Sequence, residues 1–167
     1  MDYQKELIAE YDREAAKTRK MLEAIPADAD FGYKPHPKSM SLGRLAGHLI
    51  DMVGDWAVHS LTLDKLDFPA DHKWEAYVPA SKAALLGKFD SEFPRAQAAL
   101  AGTTGEKWDQ NWQFIFGGHV WINDPRHKVF RELVVGHMIH HRAQLGVYLR
   151  MLNAKVPGMY GPSADEM

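Results

Sequence analysis

An all-α bundle is the fold class this sequence predicts, on three observations. Four separated segments repeat apolar residues at three- and four-residue steps. The stretches between them are rich in proline, glycine and aspartate. With no cysteine, the chain must rely on a hydrophobic core rather than on disulfides. At 167 residues and 46% hydrophobic content, the chain can build one substantial core but not two, so residues 1–167 are read as a single domain.

The first segment runs from about Asp2 to Ile25, with Leu7, Ile8, Tyr11, Ala15, Leu22 and Ile25 on one stripe and Pro26 at its end. A loop containing Pro35 and Pro37 leads to Ser41, a good N-cap. The stripe Leu45, Leu49, Met52, Trp56 and Leu63 then marks a second helix. The third, from Ser81 to Leu100, is alanine- and leucine-rich and contains Pro94, which should kink it or end its first half. Between it and the last helix lies WQFIFGGHVWI, two aromatic and β-branched runs around Gly-Gly, which predicts a small hairpin. Asp124-Pro125 then supplies an N-cap and a first-turn proline for a helix reaching about Leu152, before Pro157 and Gly158.

Charge and composition exclude several classes of partner. Acids and bases nearly balance at a net charge of −2 and form no basic run to follow a phosphate backbone, so nucleic acid is not expected. The N-terminus is dense in charge and no stretch approaches the roughly 18 apolar residues of a membrane span. No membrane association is expected, and a cytoplasmic location is. Without cysteine, any metal must be held by histidine, carboxylate or amide groups.

Histidine is where the sequence carries chemistry. In VVGHMIHHRAQL, taking about 100° per residue, His141 falls inside the apolar stripe of the last helix and His137 on its flank, while His140 and Arg142 fall on opposite margins. An i, i+4 pair stacks two imidazoles on one face, but two histidines hold a metal weakly and a third ligand is needed. His48, on the edge of the buried stripe of the second helix, is the best third candidate. Asp51 and Asp55 flank the same side and could orient an imidazole. The plainer alternative is that each is a hydrogen-bonded core histidine. His36, His72, His119 and His127, in loops or near helix starts, read as solvated surface, and His59 lies on the line of His48 three turns down.

The segments HPKSMSLGRLAGHL and HMIHHRAQL resemble the second-helix entry and the last-helix signature of DinB/YfiT-like proteins, in the same order and separation. The resemblance covers the chain from the first helix to about Leu152. It implies an up-down-down-up four-helix bundle holding a divalent metal, zinc or nickel first among the possibilities, on His48, His137 and His141. His140 and Arg142 would pair with neighbouring helices or loops, and Gln144 would line the pocket. Three neutral imidazoles leave the ion its full charge and an open position, which suits activating a water or a thiol. The family includes low-molecular-weight-thiol transferases and an isomerase. The resemblance therefore implies a metal-dependent transferase or hydrolase acting on a small electrophile, and a homodimer. A non-catalytic metal- or ligand-binding bundle is the alternative. Asp51, Asp55 and Tyr148 are the inward-leaning candidates for proton transfer.

Overall fold

A computed structural model of the chain describes residues 3–167. Helix α1 spans Tyr3–Glu23, so the expected start at Asp2 lies outside the described residues. Ser41 caps α2, Leu42–Asp51, by accepting from the Arg44 amide at 3.1 Å. The helix continues without a break through a π-helical turn, Met52–Trp56, into α3, Ala57–Thr62. Strand β1, Lys65–Phe68, follows, and a long irregular connection then reaches α4, Lys82–Gly102, capped by Ser81. After the short α5, Gly105–Asp109, come strands β2, Asn111–Phe116, and β3, His119–Pro125. The last helix is again continuous: α6, Arg126–Val129, a π-helical turn, Phe130–Gly136, and α7, His137–Met151.

The all-α expectation is corrected by a three-stranded sheet in the order β1-β2-β3. The hairpin is present, and Gly117 and Gly118 turn it at φ values of 58° and 77°, where a Cβ would be strained. Strand β1 has no comparable signal. It is four residues long and pairs in parallel with β2, Lys65 facing Gln113 and Phe68 facing Phe116, across more than forty intervening residues. With the sheet and α5 present, the molecule is a helical fold with an accessory sheet rather than four helices alone.

Pro94 does not divide α4. Asp124 does not cap the last helix: it lies in β3, its carboxylate is held by Lys128 at 2.8 Å, and the helix starts one residue after Pro125. The C-terminal end is set by Asn153 in the left-handed region at φ 56°. The amides of Asn153 and Ala154 return to the carbonyls of Arg150 and Leu149, closing the helix before Pro157 is reached.

Helix α1 packs against α4 and α7, and α2 packs against α7. Tyr11, Leu45, Leu49, Met52, Met138 and Leu145 are buried in the core, as their stripes predict. Leu152 and Trp56 are only half-buried, and Leu63 is exposed because the helix has already ended at Thr62. Ile139, which the same 100° spacing turns away from the apolar stripe of the last helix, packs against the core instead.

A histidine cluster between the second and last helices

Both helices that bear the histidines contain a π-helical turn beside them. Inserting such a turn offsets the backbone ladder and frees a carbonyl from its usual partner four residues on. The amide of His137 bonds the carbonyls of Glu132 and Val134 and skips Leu133. The Leu133 carbonyl takes a hydrogen bond from the His137 ring instead. In the other helix the amide of Ala57 goes to Gly54, and the carbonyl of Val53 accepts from the Tyr11 hydroxyl at 2.6 Å. The helix irregularity therefore orients one of the three rings.

The other two rings are oriented by side chains. His141 Nδ1 lies 2.8 Å from Gln144 Oε1, and Gln144 Nε2 lies 3.1 Å from His140 Nε2, which fixes the amide with its oxygen toward His141. His48 Nδ1 stands 3.6 Å from Asp51 Oδ2 and 3.5 Å from Arg44 Nη2, and Arg44 and Asp51 are themselves paired at 3.2 Å. The carboxylate would accept from a protonated Nδ1, whereas the guanidinium would require it bare. The carboxylate is the partner compatible with a free Nε2, and it matches how the other two rings are held.

The three Nε2 atoms then converge. His137 and His141 approach to 2.8 Å and His48 and His137 to 3.4 Å, and one ligand atom from each of the three lies within 4.8 Å of the others. Burial, reinforced by the neighbouring imidazoles, lowers the pKa of His137. Burial also pushes that of His141 down to about 4, against the bond to Gln144, which favours its protonation. Both rings are therefore neutral near pH 7. With Nδ1–H committed to Leu133 and Gln144, the Nε2 atoms of His137 and His141 can present only lone pairs to each other. Facing lone pairs at this distance repel unless a cation lies between them. Ligands about 2.0–2.1 Å from one tetrahedral ion stand roughly 3.3 Å apart, between the two separations seen here. The donor set fits a three-histidine metal centre.

The other residues singled out from the sequence divide clearly. Arg142 is buried and bonds the Glu14 carboxylate at 2.5 Å, the Thr18 hydroxyl at 3.3 Å and the Tyr160 hydroxyl at 2.8 Å, so it pairs with α1 and the C-terminal segment. His140 is exposed and bonds Gln144 on its own helix rather than a neighbouring element. The Tyr148 hydroxyl donates to the Met40 carbonyl at 2.9 Å, and exposed Asp55 pairs with Arg95 at 3.3 Å. His36 and His119 are exposed, but His72 packs tilted against Phe68 and edge-on to Trp74, and His127 is half-buried with Nδ1 3.1 Å from the Trp108 carbonyl.

Two openings flank the histidines. A cavity of about 300 Å³ beside His48 is walled by Trp56, Phe68, Trp74 and Phe114, with Arg44, Asp51, Asp55 and Glu75 among its polar groups. It lies under the sheet, so of Trp56 and Tyr148, the aromatic residues the sequence offers as pocket walls between the second and last helices, only Trp56 is part of it. Tyr148 lines a separate, more open pocket with His141, Gln144 and Lys38. Trp74 and Phe68 went unrecognised because nothing local in the sequence ties the connection before α4, or a four-residue strand, to His48.

The family model described as the DinB family matches residues 1–167. The uncharacterized protein YrdA of Bacillus subtilis (strain 168) is 22% identical over 156 residues, spanning 93% of this chain and 87% of its own. Among solved structures, a DinB-like protein from Bacillus cereus ATCC 10987 superposes with a TM-score of 0.69 at 21% identity, covering 92% of this chain and 95% of the other. A DinB-like protein from Bacillus subtilis, YjoA, gives 0.65 at 19% identity, covering 97% and 98%. At these identities the structures establish the fold.

Proposed function

We propose, from the premise that the chain belongs to the DinB family, that it is a metal-dependent transferase or hydrolase with His48, His137 and His141 as ligands of one divalent ion, zinc or nickel. The observation that carries this reading is the convergence of Nε2 lone pairs whose opposite nitrogens are engaged at His137 and His141. Held by three neutral imidazoles, such an ion keeps its 2+ charge and supplies Lewis acidity to activate a low-molecular-weight thiol or water against a small electrophile.

The chain's own contribution is positioning. Gln144 and the Leu133 carbonyl hold their rings in the tautomer that frees Nε2, and the aromatic cavity beside His48 seats the apolar part of a substrate. Asp51, next to His48, is the one candidate proton carrier at the cavity wall close to a ligand, and Arg44 pairs with it beside the ring. Tyr148 has its proton on Met40, and Asp55 faces Arg95, so neither is free for transfer. That shortage of a free base favours a second reading, a metal- or ligand-binding protein without turnover. An up-down-down-up helix order, a cytoplasmic setting and a homodimer belong to the same proposal. The dimer draws on exposed Val147, Val120 and Trp121, and a monomer mass in light scattering would remove it.

Metal analysis of protein purified without an affinity tag is the first test. It should return one divalent ion per chain, His141→Ala should lose it, and His140→Ala should keep it. Retention by His141→Ala would refute the ligand set. A panel of bacterial thiols with a generic electrophile, set against activated esters without thiol, then separates transferase from hydrolase. No metal-dependent rate with either set leaves the binding reading.

A further inference from the structure

The cavity beside His48 has a composition that selects a ligand charge. Its rings come from four separate places: Trp56 from the π-helical turn, Phe68 from β1, Phe114 from β2 and Trp74 from the connection before α4. Phe68 and Trp74 lie 4.7 Å apart, Trp56 and Phe114 5.8 Å, and Trp56 and Trp74 6.5 Å between ring centroids. Trp74 remains 51% exposed even so, which leaves ring surface open to an entering group. The rings are joined by the carboxylates of Asp51, Asp55 and Glu75 and by His48, His59 and Arg44; Asp51 is paired with Arg44 and Asp55 with Arg95, which leaves Glu75 as the unpaired charge of the wall. Glu75 has no ion-pair or hydrogen-bond partner among the described residues. The cation–π contacts among those residues are made by Lys17 and Arg142 on Tyr160, so no described lysine or arginine makes one with these rings.

Aromatic faces carry negative quadrupole potential, and the unpaired carboxylate of Glu75 adds to it. A carboxylate or phosphate ligand would meet like charge here, whereas a neutral ring would use the apolar area and gain nothing from Glu75. We propose that this cavity is a subsite for an organic cation, an alkylated or quaternary ammonium group, whose remaining atoms extend toward His48. This names the substrate class within the functional reading above and rests on it for orientation only. The rings and Glu75 belong to the cavity wall and not to the histidine cluster, so the subsite should accept a cation with or without metal.

The test is calorimetric titration of the full chain, metal-stripped and metal-loaded, with benzyltrimethylammonium, benzyl alcohol and benzoate. The cation should bind about tenfold or more tightly than the alcohol, and benzoate should bind most weakly. Trp74→Ala should weaken the cation about tenfold, and Glu75→Gln should weaken it by about threefold without changing the affinity for the alcohol. Trp121→Ala, which removes an exposed tryptophan outside the cavity, should change neither. Equal binding of cation and alcohol, preference for benzoate, or an undiminished affinity in both Trp74→Ala and Glu75→Gln would each overturn the proposal. His141→Ala separates the two readings: if it loses metal and keeps the ammonium preference, both stand, whereas a wild type that takes up no metal when offered it and still prefers the cation overturns the metal reading alone.

Discussion

His141 and Arg142 are adjacent on α7, and each is a buried polar side chain, yet they end in opposite kinds of surroundings. Arg142 enters a closed network. Its guanidinium faces the carboxylate and carbonyl of Glu14 and the hydroxyls of Thr18 and Tyr160, and Lys17 completes the pairing of Glu14. Tyr160 also bonds Glu14 at 2.6 Å, so the C-terminal segment is tied to α1 through the same carboxylate. His141 enters an open cluster, in which Nδ1 is satisfied by Gln144 and Nε2 faces other Nε2 atoms. A buried charge whose partners are all protein groups stabilises the fold it sits in. A buried set of lone pairs aimed at one another costs stability until something outside the chain satisfies it. The first is architecture and the second is a candidate metal site.

The largest way to break the comparison is Arg142→Met, which leaves the Glu14 carboxylate buried without its main partner. The expected loss is about 3–5 kcal/mol in urea unfolding. His141→Ala in metal-free protein should cost far less, because it relieves the facing lone pairs. Comparable losses from the two would show that the histidines form a structural network too.

Metal removal sharpens the same contrast from the other side. If the ion binds the folded chain alone, at a free concentration a hundredfold above Kd it contributes about 2.7 kcal/mol. Chelation should therefore lower the melting temperature of the wild type and leave that of His141→Ala unmoved. The Arg142 network should respond to neither.

Acid should separate the two regions by pH. Burial alone would raise the Glu14 pKa, but bonds from Tyr160, Arg142 and Lys17 outweigh it and bring it from the ordinary 4.5 to about 2. Its contribution is complete above pH 4.5 and fades as pH falls toward 2. His141, depressed from 6.5 to about 4, contributes above pH 6.5 and loses that contribution as pH falls toward 4 in metal-free protein. Urea midpoints measured between about pH 3 and 8 should show both limbs, and His141→Ala should shrink only the upper one, to which His137 also contributes. The smallest effect is expected of Tyr160→Phe, which removes one hydroxyl from a network with other partners and should cost about 1 kcal/mol.

Local sequence was informative wherever a feature is set by neighbours along the chain. The stripes on the second and last helices place Leu45, Leu49, Met52, Met138 and Leu145 in the core, Ser41 caps its helix, and Gly-Gly turns the hairpin. The i, i+4 spacing put His137 and His141 on one face, and the stripe of the second helix turned His48 inward, so the triad was legible through periodicity and family resemblance together. Strand β1 was not legible. Its four residues are stabilised by pairing with a strand more than forty positions away, a contact no local propensity encodes. The π-helical turns were equally hidden, because they answer to packing between helices and are stabilised by partners such as Tyr11, which meets Val53 from another helix. The aromatic cavity follows from both: once the tertiary structure lays Phe68 and Phe114 side by side and brings Trp74 over Trp56, four scattered rings become one wall. Residue identity and helical period thus determined which groups face inward, and the long-range pairing of the sheet decided what they face.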